Sequence, residues 1–210
     1  MTSEECRQMF LAVAEKMVNS EAMLTEIDEK IGDGDHGIGM AFGFRNVKKE
    51  LEELEAVSVE AVFKTVGMTL LDTMGGASGV LFGTIFISGI SEREPHQEII
   101  VGDFADIFRK SLDVLKKRGK AKPGDKTMVD AFEPAVISLE ESAENKETMK
   151  QALNRAALAA RNGAEDTKKY RARFGRAKYF GDNAIGYQDA GATSIWIIFQ
   201  EMSDWVNAHE

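Results

Sequence analysis

The amino-acid sequence predicts an all-α protein, a barrel or bundle of about eight antiparallel helices. Apolar residues recur three and four positions apart along nearly the whole chain, which is the spacing of one helix face. The segments between these stretches are short, as expected for connections between antiparallel neighbours. The 210 residues suffice to bury a substantial core. Because no linker or internal repeat is evident, we predict a single domain over residues 1–210.

Eight apolar stretches predict the helices. In chain order they contain Met9, Phe10, Val13 and Met17; Leu24, Ile27 and Ile31; Phe44, Val47, Leu51 and Leu54; Val62, Phe63, Val66 and Leu70; Phe104, Ile107, Phe108 and Leu115; Met128, Phe132, Val136 and Leu139; Met149, Leu153, Ala156 and Ala160; and Ile195, Trp196, Phe199, Met202 and Val206. Pro134 lies inside the sixth stretch and is expected to kink that helix or mark its start. Residues 195–199 alone would fit a buried strand, but the helical spacing continues to Val206, so a helix is predicted.

Composition excludes several classes of function. The net charge of −9 and the pI near 5.0 argue against nucleic-acid binding, which needs a basic stripe. The basic run Lys168–Lys178 is the exception, and it is either a solvated loop or a segment that binds phosphate or a partner. Cys6 is the only cysteine, so an internal disulfide is impossible and a reducing compartment is expected. With no signal-peptide pattern and no apolar run of membrane-spanning length, we expect a cytoplasmic protein without membrane contact.

The segment Asp28–Gly37 carries the strongest chemical signal. It places Asp28, Asp33 and Asp35 beside glycines on one short loop, and carboxylate oxygens are the ligands of hard divalent cations such as Mg²⁺. Asp28 falls near the end of a predicted helix, where an uncompensated carboxylate is unfavourable, and a cation opposite it would remove that cost. An unbroken helix would point Asp28 and Asp33 apart, whereas Gly32 lets the chain turn back. The alternative is an acidic surface turn.

Two other kinds of binding loop, a dinucleotide-binding fingerprint and a calcium EF-hand, are excluded. Gly32, Gly34 and Gly37 satisfy the spacing of the dinucleotide-binding fingerprint, but that fingerprint needs a preceding strand and tolerates no carboxylates among its glycines. A calcium EF-hand beginning at Asp33 would place Ile38 at the turn glycine and Phe44 at the bidentate Glu.

Three further clusters combine small residues with polar groups. Met74–Gly79 precedes an apolar segment, and its amides suit either an anion or simply a tight helix–helix turn. Arg118–Met128 comes close to a phosphate-binding P-loop, but Asp125 interrupts the pattern and a helix leads into it. Gly175–Ser194 contains Arg176, whose forked guanidinium suits phosphate; the alternative is a solvated basic loop.

Together these segments resemble the L subunit of bacterial dihydroxyacetone kinase, the module that carries the nucleotide. The resemblance spans nearly the whole chain and rests on motifs in the order of that family. These are Asp28–Gly37, Gly75-Gly76-Ala77-Ser78-Gly79, Pro123-Gly124-Asp125-Lys126-Thr127-Met128, Gly175-Arg176-Ala177, and Gln188-Asp189 with Gly191-Ala192-Thr193-Ser194. It implies one L-type domain, built as a barrel of eight antiparallel helices with nucleotide and metals at one end.

The resemblance also assigns roles. Asp28, Asp33 and Asp35 would be the catalytic metal ligands and hold two Mg²⁺ ions against the phosphates of bound ADP or ATP. The predicted nucleotide contacts are the amides of His36, Gly37, Ile38 and Gly39, the glycine-rich turn at Ala77 and Ser78, Gly119 and Met128 near adenine or ribose, Arg176 at phosphate, and Asp189, Ala190 and Gly191 closing the pocket. A phosphorylated His36 is the alternative, but in the related kinases the phosphohistidine belongs to a separate phosphocarrier.

Two positions depart from the family pattern beside the predicted nucleotide contacts. Gly39 stands where relatives often have Asn, and Ala190 stands where many have Pro.

The implied activity is phosphoryl transfer within a complex. Relatives hold dihydroxyacetone covalently on a histidine of a K subunit, and nothing around His96 or His209 suggests such a site. The predicted partners are therefore the ketose-binding K subunit and the phosphocarrier M subunit of the phosphoenolpyruvate-dependent phosphotransferase system, with a homodimer left open. Two alternatives remain: a kinase for another short ketose such as a tetrulose, and a non-enzymatic nucleotide-bound adaptor for a regulator.

Overall fold

The structure is a computed structural model that describes residues 1–209. Over that range it contains nine α-helices and no strand longer than a single bridge between Thr2 and Glu98. The helices are α1 (Ser3–Asn19), α2 (Glu21–Glu29), α3 (His36–Glu53), α4 (Val59–Thr73), α5 (Gly76–Ile87), α6 (Val101–Gly119), α7 (Val129–Glu144), α8 (Met149–Asp166) and α9 (Ala190–His209), with 3-10 segments at Ser88–Ile90, Thr167–Lys169 and Arg176–Ala184. The all-α prediction is confirmed.

The helix that the apolar spacing did not count is α5. Its sequence is apolar on nearly every side, so it has no polar face to create a period of 3.6 residues. Phe82 and Phe86 of α5 are fully buried. The predicted helix through Ile195 and Val206 is confirmed as α9.

Pro134 lies inside α7, five residues after the helix begins at Val129, so it does not mark the start. A proline has no N–H to donate to the carbonyl four residues earlier, which here belongs to Asp130. Gly163 of α8 packs directly on that carbonyl, and a Cβ at position 163 would overlap it. Helices α7 and α8 therefore pack backbone to backbone where the proline has freed a carbonyl.

Eight of the helices close a ring. From α3 to α9 each helix packs against the next, and α1 packs against both α9 and α3, while α2 lies beside α3 and α9. Phenylalanines from several helices fill the interior in edge-to-face contacts, with ring centroids 5.1 Å apart for Phe10 and Phe63 and 5.0 Å apart for Phe104 and Phe108. This ring matches the predicted barrel of eight helices.

Alternate connections of an antiparallel ring meet at the same end. The α2–α3, α4–α5, α6–α7 and α8–α9 connections therefore share one end, and they contain all four motif clusters. The α5–α6 connection lies at the opposite end, where His96 O accepts from Val59 N at 2.8 Å and Gln97 O accepts from Ser3 N at 2.7 Å. No helix within residues 1–209 has the length and apolar character needed to cross a bilayer.

Candidate functional site

Three carboxylates converge where α2 passes into α3. Asp28 is the penultimate residue of α2, and each of Asp28, Asp33 and Asp35 offers an oxygen within 4.8 Å of the other two. Gly34 has φ +75°, a conformation that glycine adopts without strain, and its N–H donates to Asp28 Oδ2 at 2.9 Å. A Cβ at Gly32 would overlap the Asp28 carboxylate. The two glycines thus allow the chain to fold back on Asp28.

Arg176 brings a positive charge to this cluster from the α8–α9 connection. Its Nη2 lies 2.7 Å from Asp33 Oδ2 and 3.9 Å from Asp35 Oδ2. Partial desolvation and the neighbouring Asp33 carboxylate raise the pKa of Asp35, and Arg176 opposes that shift. The carboxylates therefore repel one another, and one guanidinium compensates them only in part.

His36, the first residue of α3, joins this helix to α9. Its Nε2 lies 2.8 Å from Ser194 Oγ, and Ser194 Oγ donates to Ala190 O at 3.1 Å. Burial lowers the pKa of His36, so the ring is neutral near pH 7. A ring nitrogen bonded to Ser194 in this way suits a neutral, orienting histidine better than a phosphorylated nucleophile.

The residues after His36 differ in their surroundings. Gly37 packs against α2, where a Cβ would lie 2.5 Å from Thr25 N and closer still to Glu21 O. Ile38 is exposed and points to the outer face of α2. Two of the predicted amide donors are already occupied, because His36 N donates to Asp28 Oδ2 at 3.4 Å and Gly39 N donates to Asp35 O at 2.9 Å.

The first turn of α5 lies at the same end of the ring. Ala77 and Ser78 follow Gly75 and Gly76 there, and no side chain caps the amides of this turn. Met74 anchors the turn on α3, since a Cβ at Gly43 would overlap its side chain.

Gly119, the last residue of α6, faces α5. A Cβ there would lie 3.7 Å from Leu81. Gly119 thus lies against the helix that carries Ala77 and Ser78 in its first turn.

The α6–α7 connection is organised by a buried carboxylate. Asp130 accepts from Gly124 N at 2.5 Å and from Thr127 N at 2.7 Å. Burial raises the pKa of Asp130 and these two N–H groups oppose the shift. Lys126, between the two donors, points inward and is 1% exposed.

Asp189, Ala190 and Gly191 form the start of α9. Asp189 Oδ2 accepts from Ala192 N at 2.7 Å, as a helix cap does, and a Cβ at Gly191 would lie 3.6 Å from Met128 Cβ. Burial raises the pKa of Asp189 to about 7, against the N–H of Ala192 and the charge of Lys126. Met128 and the α9 start, far apart in sequence, are therefore neighbours.

The sequence assigned no individual role to three residues that build this end. They are Lys126, Asp130 and Ser194, which bond to the α8–α9 connection, to the α6–α7 connection and to His36, respectively. Lys126 lies within the motif that ends at Met128 and Asp130 lies just after it, but nothing in the local sequence signals that their side chains are buried.

Comparison with known proteins identifies the family of this chain. Residues 30–204 match the family model described as the DAK2 domain. This chain belongs to the DAK2 domain family. The ADP-binding subunit DhaL of the PEP-dependent dihydroxyacetone kinase of Escherichia coli (strain K12) is 41% identical over 86% of this chain and 86% of that subunit.

Two longer proteins also contain a similar region. The L-erythrulose 1-kinase of Mycolicibacterium smegmatis is 33% identical over 96% of this chain, which spans 36% of that kinase. The crystal structure of the dihydroxyacetone kinase from C. freundii in complex with AMP-PNP and Mg²⁺ matches with a TM-score of 0.75 and 27% identity over 94% of this DAK2 domain. The chain covers 33% of that structure.

The donor set of this DAK2 domain fits Mg²⁺. Hard divalent cations prefer carboxylate oxygens and complete their coordination with water and phosphate oxygens. Three carboxylates within 4.8 Å of one another supply those oxygens and need a cation to relieve their repulsion. With the uncapped amides of α5 and the guanidinium of Arg176 at the same end, the site suits a metal-bound polyphosphate.

Proposed function

We propose that this chain is the ADP- and Mg²⁺-binding subunit of a multisubunit dihydroxyacetone kinase. It would pass a phosphoryl group from a phosphocarrier of the phosphoenolpyruvate-dependent phosphotransferase system, through its bound ADP/ATP, to dihydroxyacetone on a K subunit. The observation that carries the proposal is the group of three carboxylates beside Arg176. The similarity to the E. coli ADP-binding subunit over most of both chains supports it.

In this proposal the side chains position charge and do no covalent chemistry. Asp28, Asp33 and Asp35 would hold two Mg²⁺ ions, which neutralise charge on the phosphate oxygens when bound. Arg176 would leave the carboxylates to contact phosphate, and the amides of Ala77 and Ser78 would donate to it. Such positioning and charge neutralisation account for most of the catalysis of phosphoryl transfer.

The remaining nucleotide contacts follow from the placement of Met128, Gly119 and the α9 start. Met128 and Gly191 would form one wall against the nucleoside, and Gly119 beside α5 would form another. His36, bonded to Ser194, would keep the start of α3 against α9 and so hold Asp35 in place. We propose that the protein works in the cytoplasm, where both partners would be found.

The ketose would lie on another subunit. His96 binds Glu60 at the opposite end of the ring, with Nδ1 3.0 Å from Glu60 Oε1, and His209 stacks on Trp205 near the end of α9. Neither histidine is placed to trap a carbonyl beside the carboxylates. A K subunit that holds the ketose and a phosphocarrier M subunit are therefore the proposed partners.

A second candidate substrate is a tetrulose. The similarity to the L-erythrulose 1-kinase of M. smegmatis favours it, and nothing in the nucleotide half would exclude it. Turnover with dihydroxyacetone and with erythrulose, measured with the cognate K subunit, separates the two.

The experiment that tests the proposal is to purify the protein, denature it and identify the released nucleotide. We expect ADP with Mg²⁺, and we expect chelation to release it and to lower the melting temperature. Ligand at 100 times its dissociation constant stabilises a fold by about 2.7 kcal/mol, which a thermal melt resolves. Absence of nucleotide, together with no shift on adding ADP and Mg²⁺, would reject the proposal.

A further inference from the structure

A buried lysine joins the two ends of the α8–α9 connection. Lys126 is the only charged residue among the largest fully buried side chains of residues 1–209. Its Nζ donates to Thr167 O at 2.7 Å and also to Tyr187 O. Thr167 directly follows α8, and Tyr187 lies just before α9, so one ammonium group binds both ends of the segment between the helices.

The same two ends also bond to each other. Gly186 N donates to Lys168 O at 2.7 Å, and Asp189 N donates to Thr167 Oγ1 at 2.9 Å. Residues 168–186 therefore form an Ω-type loop, longer than most such loops, whose ends meet and whose regular structure is limited to 3-10 turns. We call the contact of Thr167 and Lys168 with Gly186 and Tyr187 the neck of this loop.

Contacts along the loop add to the neck: Arg173 N donates to Asp125 O at 3.1 Å, and Phe174 packs against the main core. Ala172 and Ala184 are its buried apolar residues, and they pack with Ile31 from the carboxylate loop. Gly175, Gly181 and Gly186 all have positive φ. Arg176 lies in the middle of the loop with 65% of its side chain exposed, so its position depends on the backbone of the loop and not on packing of its own side chain.

Lys126 is itself held in an unusual conformation. Its φ is +61°, which costs energy for a residue with a side chain and persists only where the surroundings impose it. The bonds from Gly124 N and Thr127 N to Asp130 impose it on both sides of Lys126. Burial lowers the pKa of Lys126, and the carboxylates of Asp189 and Asp130 oppose that shift.

We propose that Lys126 is a positioning residue for Arg176, acting by closing the neck of the loop. This rests on the proposed function, in which Arg176 contacts the phosphates of the nucleotide. With an open neck, the loop gains conformational freedom, and Arg176 spends less time at the carboxylate end of the ring, within reach of a bound phosphate. Apparent affinity falls in proportion to the population of the binding-competent state. Lys126 thus controls phosphate binding without touching phosphate.

The test compares Lys126→Met, which keeps the length and loses the charge and donors, with Lys122→Met, a matched change at an exposed lysine of the same connection. Hydrogen exchange of the Gly186 amide in nucleotide-free protein reports on the neck directly. In Lys126→Met we expect it to exchange at least about tenfold faster than in wild type, relative to core amides of α7. A lysine with a general stabilising role would speed exchange at both places, whereas Lys122→Met should change neither.

Coupling to Arg176 is measured by a double-mutant cycle. Lys126→Met should weaken Mg²⁺-dependent ADP binding about tenfold in the wild-type background and less than about twofold in an Arg176→Gln background, because residues that act through one another are not additive. Equal effects in both backgrounds would overturn the proposal, as would unchanged ADP affinity in Lys126→Met.

Different results would reject the proposed function and the proposed role of Lys126. If wild-type protein binds no ADP, the proposed function is rejected, and exchange at Gly186 still tests whether Lys126 closes the neck. If Lys126→Met does not fold, two measurements replace it: the same cycle with Lys126→Gln, and exchange in wild-type protein, where the Gly186 amide should be far slower than the amides of residues 176–182. Equally fast exchange at Gly186 and at residues 176–182 would overturn the proposal.

Discussion

The guanidinium of Arg176 lies 2.7 Å from the carboxylate of Asp33, although the two residues belong to distant connections of the chain. Ile31 and Ala184 bury the loops that carry them against each other. Within this cluster three carboxylates face one guanidinium, so the cluster keeps an excess of negative charge that bound divalent cations would balance. The protein thus provides an arginine that contacts the carboxylates here and is proposed to contact phosphate in the nucleotide complex.

Replacing Asp33 tests the role of the carboxylates. Asp33→Ala should abolish Mg²⁺-dependent ADP binding and phosphoryl transfer and leave helical content unchanged, because Asp33 belongs to no part of the buried core. Calorimetry with ADP and Mg²⁺ and far-ultraviolet circular dichroism measure the two outcomes. Asp182→Ala, at an exposed aspartate of the Ω-type loop, is the control. A variant at position 33 that keeps its activity would make the acidic loop an ordinary turn.

Alanine substitutions at Gly37 and Gly39 test how tightly α3 packs against α2. An Ala at position 37 would press against Glu21 and Thr25 of α2, whereas the space beside Gly39 is open within 4 Å. We expect Gly37→Ala to lower the free energy of unfolding by about 1–3 kcal/mol, as overpacking does. Gly39→Ala should raise it by about 0.5–1 kcal/mol, since Ala is favoured over Gly inside a helix. Urea unfolding of metal-free protein measures both, and equal effects would refute the tight α2–α3 contact.

The raised pKa of Asp189 makes the free energy of unfolding depend on pH. Burial raises its pKa from 3.8 to about 7 in the folded protein, so the unfolded chain loses this proton first as pH rises. The group therefore stabilises the fold least above pH 7, and its contribution is lost progressively between about pH 4 and pH 7. Asp189→Asn keeps an oxygen for Ala192 N and carries no charge.

We expect Asp189→Asn to be more stable than wild type by about 1–2 kcal/mol at pH 8 and nearly equal at pH 5. The expected difference in stability is smaller than the pKa shift of Asp189 would give at about 1.4 kcal/mol per pKa unit. The reason is that the Asp189 side chain is partly exposed to solvent. Urea unfolding of nucleotide-free protein at the two pH values gives the comparison. A difference that is larger at pH 5 would contradict the raised pKa.

Reconstitution tests the dependence on partners. The isolated chain with ATP and dihydroxyacetone should form no dihydroxyacetone phosphate. Adding the K subunit should allow about one turnover per bound nucleotide, and adding the phosphocarrier with phosphoenolpyruvate should make turnover continuous, because a nucleotide enclosed by loops leaves slowly. An enzyme-coupled assay for the product follows all three stages.

Each other outcome of the reconstitution has a distinct meaning. Sustained turnover with ATP and the K subunit alone would mean that the nucleotide exchanges freely. Bound ADP without turnover in any combination would favour a regulatory adaptor, and turnover by the isolated chain would place the ketose site on this subunit.

Local sequence was informative wherever a signal depended on neighbouring residues. Periodic apolar residues predicted the amphipathic helices, but α5 was not counted because a helix buried on nearly all sides carries no such period. The grouping of Asp28, Asp33 and Asp35 was also predictable, since two glycines within the same ten residues let the chain turn back.

The sequence by itself determined an all-α chain with an acidic, metal-suited loop, because helix period and glycine turns are short-range properties. Tertiary structure alone decided that Arg176 reaches Asp33, that Met128 borders Gly191 and that Lys126 binds Thr167 and Tyr187. These pairs come from separate connections, which meet only because alternate loops of a closed antiparallel ring share one end. The inward direction of the Lys126 side chain likewise depends on the fold around it, since burial of a charged group needs the carbonyls and carboxylates that the ring brings together.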